Sequence, residues 1–143
     1  MIRRLAAGLA VGVTFFVVLT YVLGFPETLS YPDWFVRYAD DDMIVSEFLW
    51  SLISFVPTIM IVAFVLGYFL AKFIGKSHFS IGCLAVGVAL FLGILKATPE
   101  LGLLRATRIT VAPNSWIDIP AYLALYLALP LASFFFGRRA SAT

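Results

Sequence analysis

The chain has 143 residues, of which 62% are hydrophobic and only 13% are charged, about half the charged share of typical soluble domains. Ten Lys and Arg residues against eight Asp and Glu residues give a net charge of +2, and the mean hydropathy is +1.02. This composition excludes an ordinary globular enzyme, a disordered chain and a basic nucleic-acid binder. The single cysteine excludes an internal disulfide framework, and the single histidine excludes a metal or haem site built on a pair of histidines.

Four apolar segments predict an all-α membrane protein with four transmembrane helices, at about residues 5–25, 43–71, 79–98 and 119–137. About 20 apolar residues in a helix cross the hydrocarbon of a bilayer. The second segment is too long to stand upright, so we expect it to tilt or kink. The third reaches 98 if Lys96 snorkels to the interface, and we expect Pro99 to stop it. The intervening loops are too short for a soluble core, which makes residues 1–143 a single polytopic membrane domain.

Charge predicts the orientation of the spans. Six basic residues fall on one side of the four-span arrangement, and all eight acidic residues fall on the other. The basic side carries Arg3, Arg4, Lys72, Lys76, Arg138 and Arg139. The positive-inside rule therefore places both termini in the cytoplasm, as in a multi-pass protein of a bacterial inner membrane.

The first outer loop is predicted to contain a short interfacial helix. Ser30 and Asp33 have the spacing of a capping box, with a proline between them, and aromatic residues follow. We expect residues 31–39 to lie in the interface with the aromatic side chains towards lipid. In the second outer loop, residues 99–104 are a further interfacial candidate, a turn is expected near Ser115, and Asp118 is expected to cap the fourth helix.

Small residues at a spacing of four predict how the helices pack, because helices in lipid associate where backbones can approach closely. The third and fourth spans carry the longest such stripes and are expected to be neighbours that meet along them. The residues are Ala85, Ala89 and Gly93 in the third span and Ala124, Ala128 and Ala132 in the fourth. In the second span, Pro57 removes the hydrogen bond to the Ile53 carbonyl and predicts a kink.

Glu47 is the principal candidate for chemistry, because an ionisable residue within a span is costly and often functional. Its place near the start of the second helix also suits a carboxylate that only stabilises the helix dipole. If Glu47 lies deeper, Lys96, Arg105 or Arg108 is the expected partner. Three hydroxyl residues extend a polar patch along the same helix: Ser51, Ser54 and Thr58.

The preferred hypothesis is a non-catalytic membrane protein that binds another membrane protein, or itself, as an accessory subunit, an assembly factor or an immunity-type protein. Recognition-type residues in the outer loops and the second helix favour it: Trp34, Tyr38, Trp50, Arg105, Arg108 and Trp116. The alternative is a small oligomeric transporter or channel that uses Glu47 and the polar patch. No intramembrane catalytic constellation is evident, so we expect no enzyme activity, no metal, no cofactor and no nucleic-acid partner, with membrane lipids as the other contact.

Overall fold

The fold is known from a computed structural model that describes residues 2–28, 35, 43–74 and 79–140. Within these ranges the chain is almost entirely helical and has no strand. The elements, in chain order, are α1 (Ile2–Thr28), α2 (Met43–Trp50), a π-helical turn (Ser51–Phe55), α3 (Val56–Ile74), α4 (Phe79–Leu101), α5 (Leu103–Val111), a 3-10 turn (Trp116–Asp118) and α6 (Ile119–Ala140).

The prediction of four membrane spans is confirmed. Four helical segments are long and apolar enough to cross a bilayer: Ile2–Val22, Val45–Ile74, Phe79–Leu101 and Trp116–Arg138. The second segment joins α2, the π turn and α3 into one span of 30 residues. The interfacial helix predicted for residues 31–39 lies outside the described residues, except for Phe35, which is helical and buried.

A π turn lies directly before Pro57, where the sequence predicted a kink. Proline has no N–H to bond the carbonyl four residues earlier, and its ring crowds that carbonyl. Directly before Pro57, the helix widens over Ser51–Phe55, and the Val56 N–H bonds the Ser51 carbonyl. The wider turn shifts the hydrogen-bond register by one residue ahead of the proline, as π-bulges do within α-helices.

The prediction that Pro99 stops the third span is wrong. Helix α4 continues through Pro99 to Leu101, and Gly102 ends it with a φ of 74°. The Gly102 N–H bonds the Thr98 carbonyl at 2.9 Å, which closes the last turn. Pro99 has no N–H to bond the Leu95 carbonyl, yet the helix persists past it, and the positive φ of Gly102 then redirects the backbone.

The strongest contacts between spans join parallel helices. Helix α1 packs most extensively against α4, and α3 packs most extensively against α6. The antiparallel pairs α4–α6 and α1–α3 complete a four-membered ring. We name the two ends of this bundle by the chain: the chain-end side carries the start of α1 and the end of α6, and the loop side carries α2 and α5.

Glycines set the close approaches between these helices. A Cβ atom added at Gly12 would lie 2.6 Å from the Ala85 carbonyl oxygen, and one at Gly67 would lie 2.6 Å from Ala132 Cβ. An added Cβ at Gly82 would lie 2.6 Å from Pro130 Cα. Since apolar burial gives little driving force in lipid, such backbone contacts supply much of the association.

The centre of the bundle is apolar and well buried. Phe15 from α1 and Leu129 from α6 are fully buried there, together with Ile59 and Ala63 from α3.

At the start of the fourth span, the Ser115 hydroxyl accepts from the Ile117 N–H, and the Asp118 carboxylate accepts from the Ser115 N–H at 3.2 Å. This reciprocal capping box fixes the entry of the chain into α6.

Candidate functional site

The most distinctive loop-side element is a helical hairpin formed by the end of α4, Gly102 and α5. Gly102 lies between the two helices. Its carbonyl oxygen accepts a hydrogen bond from the Ala106 N–H at 2.9 Å, which forms the first turn of α5. Helix α5 then folds back along α4: Ala106 is fully buried, and an added Cβ at Gly93 would lie 3.0 Å from Thr110 Cγ2. We call this element, residues 93–111, the loop-side hairpin.

Two tyrosines of the fourth span hold the far end of α5. The Tyr122 hydroxyl donates to the Ile109 carbonyl, and the Tyr126 hydroxyl donates to the Val111 carbonyl. The last carbonyls of a helix have no partner within it, so these two bonds satisfy groups that would otherwise be costly to place near hydrocarbon. The hairpin is thereby tied to α4 by packing and to α6 by hydrogen bonds.

The opposite face of α5 is exposed and combines apolar and basic side chains. Leu104 on this face is 89% exposed, and Leu103, at the start of the helix and nearer to Ala106, is 61% exposed. Arg105 and Arg108 are exposed and three residues apart, so they lie on neighbouring parts of the helix surface. Among the side chains that the structure describes, neither arginine forms an ion pair with a carboxylate. The structure thus brings together the two basic residues singled out in the sequence.

Sequence reasoning missed α5 and the two tyrosines. A nine-residue helix is too short to be stable alone, and α5 depends on contacts with residues distant along the chain. The available signal was the pair Tyr122 and Tyr126, which lie four apart on one face of an apolar span. Buried tyrosine hydroxyls generally need a partner.

Glu47 lies on α2 with an exposed side chain. In the described part of the chain it forms no ion pair with Lys96, Arg105 or Arg108. The arrangement therefore does not join Glu47 to the basic side chains of the hairpin.

The polar patch of the second span coincides with the π turn. Ser51 is buried within it, and Thr58 donates to the Ser54 carbonyl at 2.6 Å. The Ser54 hydroxyl oxygen is buried and has no hydrogen-bond partner. An unpaired buried hydroxyl is unfavourable, and among the described residues Ser54 carries the one fully buried side-chain oxygen or nitrogen without a partner.

The aromatic candidates make contacts within the chain. The Trp50 ring packs edge-on against Phe35 at a centroid distance of 5.2 Å, and the Trp116 ring lies 5.2 Å from Phe48. Trp116 nevertheless remains 57% exposed. Trp34 and Tyr38 lie outside the described residues.

The two small-residue stripes lie in or beside the core, and three of their members pack against α1, α3 and α5. The buried members are Ala85, Ala89, Ala128 and Ala132, whereas Gly93 and Ala124 are half-buried. The Ala85 carbonyl faces Gly12 of α1, Ala132 faces Gly67 of α3, and Gly93 faces α5. Helices α4 and α6 are neighbours, and Gly82 of α4 packs closely against Pro130 of α6.

Across the described residues, no group of three or more His, Cys, Asp and Glu side chains is placed to hold a metal ion. Comparison of the chain with known protein families, with curated proteins and with solved structures finds no match in any of the three.

Proposed function

We propose that this membrane protein acts non-catalytically by binding another membrane protein, or a second copy of itself, through the loop-side hairpin. Such a protein would serve as an accessory subunit, an assembly factor or an immunity-type protein. The observation that carries the proposal is the fixed position of α5, whose inner face is tied to α4 and α6 while its outer face stays exposed.

Fixation matters because ordering a loop on binding costs free energy. Most connections between helices are mobile, but α5 is already held by packing at Ala106 and by the tyrosine bonds at its end. A partner would therefore meet a surface that is organised before binding.

The composition of that surface also suits a protein partner. Leu104 offers an apolar side chain that no neighbour covers, and Arg105 and Arg108 flank it with charge. Arginine is enriched at protein interfaces and pairs with carboxylates through two parallel hydrogen bonds. We therefore infer a partner that presents a carboxylate beside an apolar patch near the membrane surface.

Site-specific photo-crosslinking in native membranes tests the proposal. A photoreactive residue at Leu104 should give an adduct with a discrete protein, and the double charge reversal Arg105→Glu with Arg108→Glu should abolish that adduct. The matched control is Leu131, which is also exposed but lies on a membrane-spanning face of α6; it should give lipid adducts. Adducts from Leu104 that contain lipid alone would refute a protein-binding role for the hairpin.

A transporter or channel is the second candidate, and the unpaired Ser54 hydroxyl at the π turn favours it. Single π turns within α-helices occur frequently at functional sites. The two functions predict opposite results in one assay of the cellular phenotype. Partner binding through the hairpin predicts that Glu47→Gln and Ser54→Ala retain activity while the double charge reversal Arg105→Glu with Arg108→Glu weakens it. Transport predicts that Glu47→Gln and Ser54→Ala abolish activity while the double charge reversal does little.

A further inference from the structure

A groove of about 450 Å³ runs between α1 and α3 on the chain-end side of the bundle. It forms because α1 directs its glycine face, Gly8 and Gly12, towards α4 and packs less closely against α3. Half of the residues in the α1 wall are alanines, whereas the α3 wall consists of bulky side chains such as Phe69 and Phe73.

The groove is apolar along its length and polar at one end. Thr14 is the innermost polar residue on the α1 wall, and its hydroxyl is already bonded to the Ala10 carbonyl at 2.9 Å. Arg3 lines the opposite end, where its exposed guanidinium marks the membrane surface. A ligand that fits must therefore be apolar for most of its length and anionic at its head.

The dimensions match one leaflet of a bilayer. From Arg3 to Thr14 the rise along α1 is about 16 Å at 1.5 Å per residue, and half of the hydrocarbon thickness is about 15 Å. The groove thus extends from the chain-end surface to about the middle of the membrane, which is the depth that one acyl chain occupies.

The charge of the chain-end side argues against a second copy of this chain as the occupant. A second copy in the same membrane would also present its own basic chain-end side. Arg3, Arg4 and Lys72 are exposed there, and the corresponding sequence segments 1–4, 72–78 and 138–143 contain no acidic residue.

We propose that the groove between α1 and α3 binds an acyl chain of an anionic phospholipid, whose headgroup phosphate pairs with Arg3. The basic side chains nearby raise the local concentration of anionic lipid, and Arg3 fixes the headgroup above the groove. The bound lipid fills space between two spans that pack less closely than the other pairs of the ring.

Native mass spectrometry of the detergent-purified chain tests this site with phosphatidylglycerol and phosphatidylcholine as probes. The wild-type chain should retain one phosphatidylglycerol in preference to phosphatidylcholine. Arg3→Gln should reduce that preference by about fivefold, the effect of one basic residue at a membrane surface. The matched control is Arg4→Gln, which removes another exposed charge that does not line the groove; because Arg4 acts only through the general positive charge of this side, it should reduce the preference less than Arg3→Gln does.

A second pair of variants tests the groove itself. Ala10→Phe places an aromatic ring in the groove from an exposed position, so binding of both phospholipids should be lost. Val13→Phe adds the same ring to α1 outside the groove, so binding should be retained. Unfolding midpoints identify any variant that is misfolded, and Ala6→Leu is the smaller substitute for filling the groove. Equal losses in Arg3→Gln and Arg4→Gln would overturn the proposal. Retention of lipid by groove-filling variants that still fold would overturn it as well. A change from dimer to monomer in these variants would also overturn it, because a second copy of the chain would then be the occupant of the groove.

Discussion

Replacing Gly67 by alanine should separate the second and fourth spans. The new Cβ would lie 2.6 Å from Ala132 Cβ and 3.0 Å from both the Ala132 carbonyl carbon and the Ser133 nitrogen. Carbon atoms in ordinary contact are about 3.5–4.0 Å apart, so α3 and α6 would have to move apart by about 1 Å. Because the contacted atoms are backbone or Cβ atoms, no side-chain rotation relieves the clash.

The expected loss is the usual range for overpacking, about 1–3 kcal/mol in the free energy of unfolding. An alanine in place of a helical glycine also gains up to about 1 kcal/mol of helix propensity. Gly87 on α4 provides the matched control, because an added Cβ there meets nothing within 4 Å. The difference between Gly67→Ala and Gly87→Ala cancels the propensity gain and isolates the clash.

Unfolding of both variants by SDS titration in mild detergent, followed by circular dichroism, measures this difference. The double variant Gly67→Ala with Ala132→Gly removes the nearest contacting atom and should recover part of the loss in a double-mutant cycle. Equal stability of Gly67→Ala and Gly87→Ala would refute the inferred close packing of α3 on α6.

Three further predictions follow from other features. Tyr126→Phe should cost about 0.5–1.5 kcal/mol and speed amide exchange in α5, while the exposed control Tyr21→Phe should not; unchanged exchange in both would contradict the tyrosine cap. Pro57→Ala should convert the π turn to α-helix and rotate α2 by about 100°. Because Val45 is exposed in the wild-type chain, thiol labelling of Val45→Cys should fall in this variant. Unchanged labelling would exclude Pro57 as the cause of the π turn. Reporter fusions at Thr143 should report the cytoplasm, and an external signal would reverse the predicted orientation.

The extent of the spans was largely predictable, because hydropathy and length determine which segments can cross a bilayer. The first span begins at Ile2 and the third ends at Leu101, each three residues beyond the predicted bound. Predicted and observed ends differ where the last backbone hydrogen bonds, and not the apolar content of the segment, determine where the helix ends. The bond from the Gly102 N–H to the Thr98 carbonyl is an example.

The candidate site was predictable only in part. Arg105 and Arg108 were identified from their charge, but the helix that carries them depends on Tyr122, more than ten residues further along the chain. Apolar periodicity describes spacing within one segment and therefore cannot predict contacts between segments far apart along the chain. The sequence predicted correctly that the third and fourth spans are neighbours, but it gave no partner for Gly12 or Gly67, which contact helices two spans away.

The pairing of alternate spans has a consequence for how the protein is made. A chain that enters the membrane one span at a time presents α1 before its principal partner α4 exists, and α3 before α6 exists. Each glycine-lined face must therefore contact lipid or the insertion machinery until the span that it packs against has been inserted. The bundle closes only when the fourth span is in place, so nascent chains arrested after Ile74 should be degraded much faster than complete ones, and equal half-lives in a pulse-chase experiment would contradict this order of assembly.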